Sequence, residues 1–389
     1  MLDPVDVLIV GGGPGGLFMA ARLAGRGVRT VVCEEHAHVG DPVHCTGVLS
    51  SDSFNRFDLP SNATLNHLTD VRFVSPSGIP VDYTTPSPVA TVIDRPAFDR
   101  ALAERAAAAG ADIRSGARVV ALETDASGVR ATVAGGEVVQ ARLGVLACGA
   151  HYAFQQRFGF GLPRTYLHTA QCELPAALMP SVELHFGRDV APGGFAWAVP
   201  VWRAGGSYVR VGVMAERDAP TYFARMLERI SGRWDTPARS DGPPRQKILP
   251  LASLARTYRD RLIAIGDAAG LVKPTTGGGI YYGLLSAVIG AEVADRALAE
   301  DALTARDLSE YQRLWQRRLK PELDAQSSFR KLAQQLSDVE IEGLFELART
   351  DGVMPIVQRA AEFNRHRRLI VALLRHQPAR QLFFRSFIS

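Results

Sequence analysis

Asp267 and Glu34 are carboxylates that this sequence sets beside clusters of glycine, a pairing suited to a ligand bearing both hydroxyls and negative charge. Residues 266–283 read GDAAGLVKPTTGGGIYYG. The apolar run 262–265 reads as a short buried strand. It breaks at Gly266 and Asp267 into a sharp turn with the carboxylate at its tip. The stretch passes Pro274 and reaches Gly277, Gly278 and Gly279, after which a helical run opens at Ile280. Three glycines ahead of a helix leave backbone N–H groups bare and admit a ligand closely, where the helix dipole favours an anion. Such turns also serve merely to pack a helix tightly, and this stretch alone leaves both readings open.

The N-terminus supplies the second carboxylate. A strand pattern over 5–10 leads into GGGPGG at 11–16 and a helical run over 17–24, and a second apolar run, 30–33, ends in Glu34. This is the dinucleotide fingerprint in its full order of strand, glycine loop, helix, strand and acid. Gly11 makes the turn, Gly13 lets a pyrophosphate approach, and Gly16 lets helix and strand pack; Pro14 belongs to the same loop. Glu34 is placed to accept from ribose hydroxyls, and Glu35, one residue past the strand, is the lesser candidate. With Asp267 holding a ribityl or ribose hydroxyl and the 277–279 amides facing the charge of a reduced ring, the expected cofactor is FAD.

Several elements must hold these groups in place. Gly40, Pro42 and Gly47 mark a loop after Glu34 that carries Cys45 along the cofactor. Cys45 is a proton donor there, a shape-setting residue beside the ring, or an inert thiol. A hairpin follows over 70–83, then a strand over 91–93. Asp94-Arg95-Pro96 opens a helix that stops at Gly110, with Arg95 either reaching a phosphate or lying on the surface. Alternating strands are expected over 171–186 and 195–213. Within the second, Phe195, Trp197 and Val199 share one face by the two-residue period and make an apolar wall, either over a substrate or against a helix. Tyr281, at the opening of the helix after the glycines, is counted with the substrate side.

A helix is expected over 220–234, a Gly/Pro-rich return loop over 235–250, and helices from 304 onward, broken or kinked at Pro321. Thr304 with Asp307, and Ser337 with Glu340, form cap signatures. The last segment sets Arg359, Arg365, Arg367, Arg368, Arg375, Arg380 and Arg385 against Glu362 alone, among apolar residues. It suits either an anionic membrane surface or docking on the body.

The outer limits agree. The 389 residues allow two to three domains, and a 47% hydrophobic composition supports a sizeable core. A net charge of +4 is too mild and scattered for nucleic acid. No run of eighteen uncharged apolar residues suggests a membrane span. Asp3 and Asp6, with no basic leader, give no signal peptide, and the expected location is cytoplasmic. Cys33, Cys45, Cys148 and Cys172 show no CxxC spacing, so no metal site is expected.

Together these stretches resemble the geranylgeranyl reductase family, within the p-hydroxybenzoate hydroxylase-like FAD enzymes. The likeness covers roughly residues 5–290. Gly266-Asp267 is shared by the whole superfamily, while the run Pro274 to Ile280 looks like these reductases in particular. The family's PxxYxWxFP motif is met by Pro192, Phe195, Trp197, Val199 and Pro200, with Phe for Tyr and Val for Phe. Cys45 with Gly47, and Arg95 with Phe98 and Asp99, match further family positions. Cys148-Gly149 stands where hydroxylase relatives have Asp-Gly, which argues against a hydroxylase.

The resemblance implies an α/β fold in which a Rossmann-like FAD domain (1–68, 90–155 and 255–300) is interleaved with an antiparallel β-sheet substrate domain (69–89 and 156–254). Helices follow over 301–389. The implied activity is saturation of carbon–carbon double bonds in a prenyl chain on a lipid, quinone or diphosphate, with a flavin monooxygenase or halogenase as the alternative. No second GxGxxG unit is present, so NAD(P)H binds transiently or a protein reductant supplies the electrons.

Overall fold

The computed structural model describes residues 5–177, 179–350 and 352–384; Asp3 and Arg385, weighed above, lie outside them. Val5–Val10 is the central strand of a parallel sheet because it is apolar on both faces, and four of its six residues are buried. It pairs with Thr30–Cys33 on one side and Val138–Leu146 on the other; Leu262–Ala264 extends the sheet beyond 138–146. Asp112–Arg114 closes the far side, and Val129–Val133 and Val119–Thr124 add an antiparallel flank. Two helices cover one face of this sheet: an opening helix, Pro14–Ala24, and a long apolar one, Ile280–Ala299, which we call the turn helix.

Residues 70–84 and 166–250 build a second sheet of seven strands, in the order 245–250, 166–175, 206–215, 195–203, 182–185, 70–74, 80–84. Its pairs are antiparallel except 182–185 with 70–74. Val48–Ser50, Ala90–Ile93 and Thr64–Leu68 form a small sheet of three strands. The fold is thus α/β with several sheets, as the sequence indicates. The two long strands expected between 171 and 213 are four, broken by the prolines at 175 and 180 and by the tight turn at Gly205–Gly206.

Two other expectations are corrected. Arg245–Pro250 is an edge strand rather than part of a return loop, zipped along Tyr166–Gln171. The helix Ala305–Ala333 runs through Pro321 without a break. A proline there costs about 3 kcal/mol, but Leu308, Tyr311, Trp315, Leu319 and Leu323 bury one continuous face across it. Both cap signatures form: Thr304 N–H and Oγ1 donate to Asp307 Oδ2 at 3.1 and 2.6 Å, and Ser337 N–H donates to Glu340 Oε2 at 2.8 Å.

At the C-terminus, Ile370, Ala379 and Phe383 are buried, with Phe383 edge-on to Phe329 at 5.2 Å. The last helices therefore dock apolar residues on the body. Arg359, Arg365, Arg367, Arg368, Arg375 and Arg380 point outward. No helix among the described residues is long and apolar enough to cross a membrane.

Candidate active site

The two glycine turns meet. Gly15 in the opening helix faces the Gly283 carbonyl of the turn helix at 3.7 Å from an ideal Cβ position, so the helices lie close together near their N-termini. Neither helix has a side-chain cap: Gly13 and Gly279 sit at the N-cap positions without one. The N–H groups of Gly15 and Gly16, and those of Gly278 and Gly279, meet no acceptor among the described residues. Two uncapped helix starts side by side make a seat for an anion with two or more acceptor groups.

The glycines divide by what surrounds them. A side-chain carbon on Gly16 would collide with the Gly11 carbonyl, and one on Gly11 would sit 2.5 Å from the Ala147 carbonyl oxygen. These two are small because protein fills the space. Around Gly13 nothing lies within 4 Å, so its lack of a side chain serves something other than protein packing. Gly277, with φ +71°, would press on Leu249 at 2.7 Å, Gly278 on Lys273 at 2.6 Å, and Gly279 on Asp267 Oδ1. The triple glycine is therefore packed tightly by protein on its side-chain faces.

Glu34 is fixed as an acceptor. Its Oε2 takes the Gly12 N–H at 2.7 Å and its Oε1 takes the His36 N–H at 3.0 Å, with His36 Nδ1 at 2.6 Å. Glu35 has no such hold on the loop; its carboxylate lies 3.9 Å from His36 Nε2. Asp267 Oδ2 lies 3.7 Å from Lys247 Nζ, and the backbone around it is held by Tyr152, whose hydroxyl donates to the Asp267 carbonyl at 2.6 Å. Gly266 N–H donates to Ser286 Oγ at 3.0 Å, tying the acidic turn to the turn helix.

Cys45 and Arg95 come together. The Cys45 sulfur accepts the Gly47 N–H at 3.3 Å, and its charge interaction with the Arg95 guanidinium links the two residues. Arg95 also forks onto Asp99 at 3.2 and 2.8 Å. Burial works against the Arg95 charge, but Asp99 and the Cys45 sulfur outweigh it and hold the group above the usual arginine range. The loop is pinned by Arg210, which donates to the Thr46 and Ile93 carbonyls and pairs with Glu173.

Phe195, Trp197 and Val199 face one apolar cluster with Leu167, Met214, Leu251 and Val272. The opposite face of the same strand carries Ala196 and Ala198, which join the core that the helix Ala219–Trp234 builds on the neighbouring strands 206–215 and 166–175. The small residues thus lie on the sheet face that the helix covers, and the aromatic wall lies on the other, in the cluster that meets the glycine turn through Leu249 and Met214. Tyr281 is elsewhere: it packs edge-on against Phe57 at 5.4 Å in the nucleotide-domain core, under the Arg56 guanidinium. It stands in the first turn of the turn helix, on the face turned from the wall.

The sequence reading passed over the residues that back the glycine turn. Lys273 is buried, and Thr275 Oγ1 lies 2.6 Å from His366 Nδ1 and 3.0 Å from Gln326 Oε1. Polar residues inside an otherwise apolar turn were the available signal. Burial and the nearby Lys273 bring His366 down to about 4. An unfolded histidine titrates near 6.5, so below that pH the unfolded chain binds the proton more readily and the fold loses stability as pH falls towards 4. Urea unfolding should show about 2 kcal/mol less stability from this group at pH 5 than at pH 7. His366→Gln should remove that part of the difference; an unchanged difference would rule the residue out.

A family model for the FAD binding domain matches residues 4–289. The digeranylgeranylglycerophospholipid reductase of Methanocaldococcus jannaschii is 30% identical, over 88% of this chain and 90% of its own. The chain belongs to the geranylgeranyl reductase family of FAD-dependent oxidoreductases. A solved geranylgeranyl bacteriochlorophyll reductase-like protein from Thermoplasma acidophilum shares the fold, with a TM-score of 0.84 at 23% identity over 98% of both chains. A halogenase, PltM, solved in complex with FAD, is more distant, with a TM-score of 0.69 at 16% identity over 98% of this chain and 85% of its own. In this family member the open space at Gly13, the paired uncapped helices and the fixed Glu34 carboxylate fit FAD. Glu34 suits the ribose, the opening helix the pyrophosphate, and Asp267 with Gly278 and Gly279 the flavin end.

Proposed function

We propose that this reductase saturates carbon–carbon double bonds in a prenyl chain carried on a lipid. The observation that carries the reading is that the apolar cluster holding the aromatic wall reaches the glycine turn through Leu249 and Met214. Reduced FAD, when bound, supplies a hydride. An isolated alkene offers no polar handle, so the protein's part is to orient the chain and keep water away. Phe195, Trp197 and Val199 supply a greasy surface for that. Cys45 Sγ is the group we assign to hold the proton for the other alkene carbon, on a loop that Gly47 and Arg210 hold in place. The reductase of Methanocaldococcus jannaschii is named for a digeranylgeranyl glycerophospholipid, which supports a phospholipid as the carrier. The outward arginines of the C-terminal helices support contact with an anionic membrane face on the cytoplasmic side.

The test is anaerobic incubation of the reduced holoenzyme with prenyl phospholipids, read by mass spectrometry. A gain of two hydrogens per alkene is the expected result. Product formed only with oxygen present would point instead to a monooxygenase or halogenase.

A further inference from the structure

Lys273 is a buried amine whose hydrogen-bond and ring partners include no anion. Its side chain lies within the glycine turn, 4% exposed, with its backbone N–H donating to the Gly278 carbonyl at 3.1 Å. Nζ donates to the Phe363 carbonyl at 3.0 Å and to Asn364 Oδ1 at 3.3 Å, and stands 4.5 Å from the centre of the Phe363 ring. All three partners are neutral. No carboxylate comes within ion-pair distance of it among the described residues. Asp52 is reached only through the Asn364 amide, whose nitrogen stands 3.5 Å from Asp52 Oδ1. A buried ammonium without a counter-ion is costly, and a well-packed protein has little reason to hold one that no anion ever visits.

The position says which anion. Nζ would lie 3.2 Å from a side-chain carbon on Gly278, so the ammonium rests against the backbone whose Gly278 and Gly279 N–H groups are bare. We propose that Lys273 is the resident counter-cation of the glycine turn, a positioning residue that favours the reduced, negatively charged flavin over the oxidised, neutral one. The inference rests on the flavin lying at this turn. Burial brings Lys273 down to about 7, opposed weakly by Asp52, and an anion drawn close pushes it back up. Reduction of the flavin thus draws a proton onto Nζ as well as charge onto the ring.

The readout is the midpoint potential of the FAD holoenzyme. Lys273→Gln keeps a donor for both acceptors and removes the charge. It should cost the reduced form about tenfold in relative affinity, a drop of about 30 mV for two electrons. Lys273→Arg should stay near the unmutated value. A Gln variant that loads FAD and keeps the original potential overturns the proposal. The unmutated holoenzyme gives a second measurement that depends on no variant. From ~pH 7 to 9 its potential should fall more steeply with pH than that of free FAD, because an extra proton is taken up. A slope equal to free FAD overturns the proposal as well. Asp52, Asp267, Lys247, Glu322, His366, Tyr282 and Arg330 are the other titratable groups packed around this turn, and Lys273→Arg with a flattened slope assigns the extra proton to Lys273. Asp267→Ala, measured in parallel, reports on the seat itself. Full FAD content in that variant would show that the flavin lies elsewhere, a failure of the site reading distinct from a failure of Lys273.

Discussion

Gly13→Val should fold normally and bind almost no FAD. Nothing in the protein lies within 4 Å of the position where the new side chain would begin, and the backbone there, φ −77° and ψ 174°, accepts any residue. Folding therefore has no reason to object. The added methyls would occupy the space in front of the Gly15 and Gly16 N–H groups, where a pyrophosphate must sit. A loss of at least about a hundredfold in FAD affinity, roughly 3 kcal/mol, is expected. The thermal midpoint of the apoprotein should stay put, while the extra stability conferred by added FAD disappears. Gly16→Ala gives the contrast, because its Cβ would strike the Gly11 carbonyl and crowd Ala147 and Ile9. That variant should lose about 1–3 kcal/mol of stability before any question of cofactor arises. Fluorescence titration with FAD and thermal melts of both apoproteins separate the two cases. A Gly13→Val protein that stays yellow would remove this loop from the cofactor site.

Trp197→Ala should lower turnover on a prenyl lipid about a hundredfold while FAD content holds. The indole packs in the cluster that touches the glycine turn, against Phe195 at 6.0 Å, with its N–H buried and without an acceptor. Its removal costs roughly 3–5 kcal/mol of stability, so activity must be compared at a temperature where both proteins are folded. A chain that slides by an ångström on the enlarged wall loses its alignment, and misplacement on that scale costs about a hundredfold. Trp197→Phe keeps the bulk and discards only an unpartnered N–H, so it should retain most of the activity. If Ala substitution lowers flavin content and turnover together, the strand is core rather than substrate wall.

The sequence made the nucleotide half legible because backbone geometry imposes residue types there. A turn that admits no Cβ demands Gly11 and Gly16, and a helix start aimed at phosphate forbids a cap, so the pattern is local and readable. The wall was legible as a face, since the two-residue period puts Phe195, Trp197 and Val199 together. What the face met was not, because that depends on which side the helix 219–234 chose. The small Ala196 and Ala198 were the hint that the helix would take their side. Arg95 illustrates the limit of local reading. Its place at a helix start suggested phosphate, while its partners, Asp99 one turn later and Cys45 fifty residues earlier, could be seen only in the fold. The backing of the glycine turn was out of reach for the same reason: Lys273 and Thr275 acquire meaning only when residues 363–366 return to them.

The central sheet is stitched from distant parts of the chain, with Val138–Leu146 between Val5–Val10 and Leu262–Ala264. During synthesis, the strand that leads into the acidic turn emerges some 250 residues after the first glycine loop, and the triple glycine with the helix that follows it later still. No nascent fragment short of about residue 300 can therefore hold the cofactor with both turns. Uptake of the yellow ligand becomes a late event on the ribosome or one that follows release, and colour in a preparation of this protein reports that the whole topology has closed.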